Sequence, residues 1–167
     1  MHEFLLAATI FGASATALPQ AENAIPPPQR IDDMAISDWL RTYIDMEGWV
    51  VIAADHVAVA LGSPTGVVVR ADGYLQADIR HEYYEPTTIG SYRTSSNLQT
   101  RVIDCGEGRQ RVIAMTLFKL NNLRAELASQ SNDSAPWTTP SKDSVGYRVM
   151  DRVCRAPAEG EPMPPSA

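Results

Sequence analysis

Between positions 31 and 46 the apolar residues fall at Ile31, Met34, Ala35, Trp39, Leu40, Tyr43 and Ile44. This is the spacing of one helical face, and Asp32 and Asp33 stand where acids complement the positive end of a helix. The stripe serves either to dock the helix on its own domain, the usual role of such a face, or to meet a partner. Gly48 ends the periodicity, and shorter runs of strand length follow. Residues 49–54 (WVVIAA) and 56–61 predict two strands, the second closed by Gly62-Ser63-Pro64. Residues 66–70 and 74–84 flank Asp72-Gly73, a hairpin signal because both turn positions tolerate positive φ. A strand over 91–105 leads into the turn Gly106-Glu107-Gly108. Residues 110–120 (QRVIAMTLFKL) are apolar on both faces, the pattern of a central strand. Asn121-Asn122 then predicts a tight turn into 123–129. A polar loop around Trp137 precedes a second helix over 141–155, with Ser141 as N-cap, Asp143 in the first turn, and Val145, Val149, Met150 and Val153 on one face. The predicted fold class is α+β: a small antiparallel sheet of about five to six strands with an N-terminal and a C-terminal helix packed on it.

Composition changes this picture mainly at the ends. Residues 4–17 (FLLAATIFGASATA) form an apolar run of signal-peptide length ending in Ala15-Thr16-Ala17, so residues 1–17 are expected to be a cleaved leader. The alternatives are a short buried helix or an anchor, but the run is short for a bilayer span. No cysteine stands near the cleavage pattern, so a lipid anchor is not expected, and no other segment is apolar enough to be an integral membrane segment. Prolines cluster in 18–30 and in 155–167. Both stretches have few large apolar residues and are expected to be a disordered linker and tail. That leaves residues 31–154 as a single domain. Net charge is −6 without a basic run, which gives no electrostatic footprint for nucleic acid or anionic lipid. Two cysteines in an exported chain predict one disulfide, Cys105 to Cys154, and with it a periplasmic or cell-surface address.

Little in the sequence carries catalytic chemistry. His2 lies in the leader, and His56 and His81 are isolated in strand-like runs, so no metal site is expected from ligands that must converge in threes or fours. Asp55-His56 reads as a turn aspartate beside a surface histidine. There is no nucleophile elbow and no phosphate-cradling glycine loop. No enzyme activity, cofactor or catalytic residue is expected. One cluster could bind: Arg80, His81, Tyr83 and Tyr84, with Glu82 and Glu85 between and beside them. Alternation puts Arg80, Glu82 and Tyr84 on one face and His81 and Tyr83 on the other. The ordinary alternative is that half of these aromatics pack inward and the charges are solvated.

Several marks occur in a fixed order. Trp49 opens the domain, and Arg93-Thr94-Ser95 precedes a strand ending Val102-Ile103-Asp104-Cys105. A strand pair turns at Asn121-Asn122. Trp137, Pro140-Ser141 and Val153-Cys154 complete the series. In this order, over residues 49–154, the chain resembles the surface-adhesin E-like family of Gram-negative bacteria. The resemblance implies a small antiparallel sheet with packed helices, and an envelope or surface protein that binds other proteins, host matrix proteins among them. The helix near 31–46 and the lack of a lipoprotein cysteine depart from that pattern. The expectation is an exported, non-enzymatic, adhesin-like binding module with a host-matrix or envelope protein as partner. The alternative is an accessory subunit of an envelope complex docking through the helix 31–46, which would expose Trp39, Leu40 and Tyr43.

Overall fold

A computed structural model describes residues 24–155. The expected leader, the first part of the linker and nearly all of the expected tail lie outside the described residues. The described chain runs α1 (Asp33–Tyr43), β1 (Val50–Ala54), β2 (Ala58–Val69), β3 (Leu75–Ile89), β4 (Tyr92–Asp104), β5 (Arg109–Leu120), β6 (Arg124–Ser131) and α2 (Val145–Cys154). The six strands form one antiparallel sheet in sequence order, each paired with the next. Both predicted helices and the meander are present, and Cys105 is bonded to Cys154 across 49 residues.

The two helices lie on opposite faces of the sheet. Strand alternation decides which residues each one meets. Ala60, Ala77, Ile79 and Ile103 point to one face and pack against Val149, Met150 and Val153 of α2. Val59, Leu61 and Tyr84 point to the other and pack against Ile36, Trp39, Leu40 and Ile44, with Trp49 and Val51 beside them. The apolar stripe of α1 is therefore docked on its own sheet: Trp39 is 3% and Leu40 6% exposed. This corrects the alternative of a helix presenting Trp39 and Leu40 to an envelope complex. Only Tyr43 of that trio remains exposed, with Met34 and Ile31 outside the stripe's centre.

Local chemistry sets the boundaries. Asp32 caps α1 by accepting a hydrogen bond from Ala35 N at 2.9 Å, and Ile44 leaves the helix in an extended conformation. α2 starts later than predicted. Its N-cap is Ser144, whose hydroxyl accepts from Tyr147 N at 3.1 Å, whereas Ser141 lies one turn upstream and its carbonyl accepts from Ser144. The Asp72-Gly73 hairpin also differs. Only Gly73 takes positive φ (81°), and Arg70 and Tyr74 close a three-residue loop in which Asp72 accepts from Tyr74 N and Arg70. This loop replaces the two-residue turn.

Two further expectations shift. The break expected at Gly62-Ser63-Pro64 is a register shift inside the continuous β2. β1 pairs only with Val59–Gly62, so Pro64 sits where no neighbour needs its missing N–H. Gly66 is required there, since a Cβ would lie 2.6 Å from the Ser63 Cβ. β5, read as central, is the fifth of six strands, and only Gln110, Ile113 and Leu117 along it are buried. Both helices lie over β1–β3 and the adjoining part of β4, so the apolar residues of β5 are only half covered.

The proline-rich stretch departs from a free linker from Ile25 onward. Ile25 packs beside the α1 cluster, and the Trp39 indole donates to the Pro26 carbonyl at 2.7 Å. One well-placed donor and one apolar side chain seat a strap whose composition alone argues for disorder.

Candidate functional site

The cluster expected as a binding surface is largely interior. Arg80, His81 and Tyr84 are 3%, 7% and 4% exposed, and Tyr83 is half-buried. The predicted alternation holds, and each face is committed to a different internal structure.

On the α1 face, Arg80 and the fully buried Glu82 form an ion pair, Nε to Oε1 at 2.6 Å. Glu82 also accepts from Asn121 Nδ2 at 2.9 Å and from Asn122 N at 3.0 Å. The Arg80 guanidinium continues to the Asp45 carbonyl and to Asn122 Oδ1, both at 2.8 Å, and lies over the Trp49 ring. Asn122, at φ 62°, also receives Asp45 N and donates to the Tyr43 carbonyl at 3.0 Å. Burial pushes the Glu82 carboxyl upward, against the downward pull of Arg80 and its hydrogen-bond donors. These contacts tie the β5–β6 turn to the end of α1. Charges buried and hydrogen-bonded in this way build structure and are not presented to a ligand.

Tyr84 packs edge-on against Trp39 with ring centroids 5.3 Å apart. Its hydroxyl is buried with no hydrogen-bond partner among the described residues. Burial, aided by the Asp55 charge, pushes its pKa up to about 12.

On the α2 face, His81 Nδ1 lies 3.1 Å from Asn97 Oδ1, and Asn97 Nδ2 donates to the Tyr83 hydroxyl at 2.7 Å. Arg101 Nη2 approaches His81 Nε2 at 3.5 Å and donates to Gln99 Oε1 at 2.7 Å, while Nη1 donates to Gln110 Oε1 at 3.2 Å. This network assigns the proton of the neutral imidazole to Nδ1, which leaves Nε2 to accept from Arg101. Burial and the Arg101 charge lower the His81 pKa to about 4, and burial lowers that of Arg101 to about 10. A histidine held neutral and walled in by amides is a core group here. His56 is exposed, and the neighbouring Asp55 accepts from Val57 N and Ala58 N, the expected turn aspartate.

Surface features that could engage a partner lie elsewhere. A cleft of about 520 Å³ runs between the proline strap and β3, lined by Pro27, Pro28, Ile31, Val57 and Pro86, with the 4%-exposed Tyr84 contributing little surface to it. On the sheet face opposite α2, Trp137 gathers Arg109 and Arg111 over its ring, at 4.9 and 4.7 Å, with Tyr74 edge-on at 5.1 Å. The sequence marked Trp137 as the centre of a polar loop and as one of the ordered marks of the resemblance, with no contact assigned to it. Nothing in it showed that Arg109 and Arg111, two apart on one strand, would share a face with that loop. Among the described residues no group of His, Cys, Asp and Glu is arranged to hold a metal ion, and no helix is long and apolar enough to cross a membrane.

Fold and surface together define a disulfide-closed antiparallel sheet protein whose buried polar groups serve its own architecture. A family model described as surface-adhesin protein E matches residues 49–155, more than half of the chain, and the protein belongs to that family. No individual curated protein and no solved structure matches the chain.

Proposed function

We propose that this protein is exported to the periplasm or cell surface and acts there as a non-enzymatic binding module that engages a protein partner, in the host matrix or the envelope, through its surface. The observation that carries this reading is the family match over 49–155, which spans the whole sheet and both ends of the disulfide. The oxidised cysteine pair is in keeping with an extracytoplasmic compartment. The interior position of Arg80, His81 and Tyr84 moves the expected contact surface to the exposed cleft and the Trp137 cluster. Trp, Tyr and Arg together are the residue types that dominate protein interfaces.

The test is made on intact cells expressing the full chain with a C-terminal tag. A membrane-impermeant biotin reagent and a periplasmic release step locate the protein. The purified, disulfide-intact protein is then titrated against immobilised matrix proteins and envelope fractions. The proposal expects extracytoplasmic recovery and saturable binding to a protein partner. Cytosolic recovery, or extracytoplasmic protein without saturable binding to either set, contradicts it.

A further inference from the structure

Arg111 is the anomaly of the open sheet face. It pairs across the ladder with Val102, in a row that continues through Gln76 to Val68. Its neighbour Gln110 points the other way, into the Arg101 network. Arg111 Nε is buried with no hydrogen-bond partner, and among the described residues no acid pairs with its guanidinium. Its guanidinium lies over the Trp137 ring, 4.7 Å from the centroid. Two other arginines at this end of the sheet are already paired. Arg109 is paired with Asp104 at 3.0 Å, and Arg70 with Asp72 at 3.2 Å. Nε is closed to an incoming group, so a ligand meets the outer Nη1 and Nη2 groups, which make no hydrogen bond among the described residues. A missing anion is one explanation for an unpaired cation in an otherwise paired cluster.

We infer that Arg111, set against Trp137 and flanked by Arg109 and Tyr74, receives an Asp or Glu carboxylate from an acidic segment of a protein partner. A guanidinium offers donors in the planar fork that a carboxylate matches, and stacking on an indole holds that fork in place. Charge complementarity selects this occupant over a dense polyanion. The patch has a single uncompensated cation, Asp72 and Asp104 stand within it, and the chain carries a net charge of −6. A single carboxylate is attracted, whereas a run of sulfates meets two fixed carboxylates and a repelling field. The neighbours suit peptide side chains: Val68, in the same row, is 50% exposed, and Trp137 and Tyr74 are half-buried. The inference rests on the binding-module reading and adds the chemistry the partner presents.

The experiment uses the isotope-labelled, full-length, disulfide-intact protein. The probes are a capped glycine-serine peptide bearing one glutamate, the same peptide with glutamine in its place, and a heparin fragment. The signals followed are the Arg111 Nε–Hε and Trp137 indole N–H resonances. The expected result is a saturable shift of both with the glutamate peptide. Binding weakens by about tenfold or more on changing glutamate to glutamine, the usual effect of losing a charge-assisted hydrogen bond. In Arg111→Gln, with the backbone spectrum retained, the difference between the two peptides disappears. The peptide comparison needs only the wild-type protein, so it stands even if the variant does not fold. No saturable shift, an equal response to the two peptides, or a response to heparin alone overturns the inference. If it fails while the protein is recovered outside the cytosol and binds its partner unchanged in Arg111→Gln, the binding-module reading stands and only this site is lost.

Discussion

His81 shows how one side chain can look functional in a sequence and be structural in the fold. Among His, Tyr, Arg and Glu neighbours it has the composition of a recognition cluster, yet its ring lies inside a network of Asn97, Arg101 and, through Asn97, Tyr83. A pH dependence follows. The folded pKa of about 4 lies below the ordinary 6.5 because burial and Arg101 disfavour the imidazolium. The contribution of neutral His81 is fully present above the unfolded value and is lost as pH falls from about 6.5 towards 4, to a total of about 3 kcal/mol. Urea unfolding near pH 7 and near pH 4.5 measures it. The wild type is expected to lose about 2 to 3 kcal/mol more than His81→Gln between the two conditions. Equal losses would mean that the imidazole is solvated. The sequence showed which face each of residues 80–84 takes, since alternation is local. It could not show that both faces are covered at this point, because one cover comes from α1 and the other from side chains of β4 and β5, distant in the chain.

At the scale of elements, the Arg80–Glu82–Asn122 brace fastens the β5–β6 turn to the end of α1. Glu82→Ala would leave the Arg80 guanidinium buried without its carboxylate, a change that costs about 3 to 5 kcal/mol. Glu82→Gln, which keeps an acceptor, is expected to cost less. Chemical denaturation orders the three proteins, and a loss below about 1 kcal/mol for Glu82→Ala, the range of a solvent-exposed pair, would contradict the brace. The element order was legible in the sequence because period and turn residues are local signals. The helix 33–43 and the strands β1, β4, β5 and β6 stand near their predicted places, whereas β2 joins two predicted runs and β3 continues to Ile89, beyond its predicted end at 84. What was misread depended on neighbours. Ser144 competes with Ser141 as N-cap, and a turn wins only when its backbone fits. The residues of β5 look central because they are apolar, but the helices that would cover them lie over other strands. The proline strap was misread for the same reason, since its docking depends on the Trp39 indole meeting Pro26.

For the whole molecule, the bridge joins the C-terminal end of β4 to the last residue of α2, closing a loop of 49 residues. It fixes α2 on the face that holds Ile79 and Ile103. Replacing both cysteines with serine removes that constraint and is expected to destabilise the protein by about 4 kcal/mol in the chain-entropy account. Thermal unfolding with and without reductant reads the same quantity. The bridge and the family membership are both in keeping with the proposed reading, a stapled sheet in an oxidising compartment that meets a partner through its surface. The most direct test of that account is the thiol state of the native protein. Cells expressing the full chain are fractionated and alkylated without reductant, and the protein is analysed by mass spectrometry. The account predicts recovery in the periplasmic or surface fraction with Cys105 and Cys154 bonded to each other and unalkylated. Recovery in the cytosol with both thiols alkylated would contradict it.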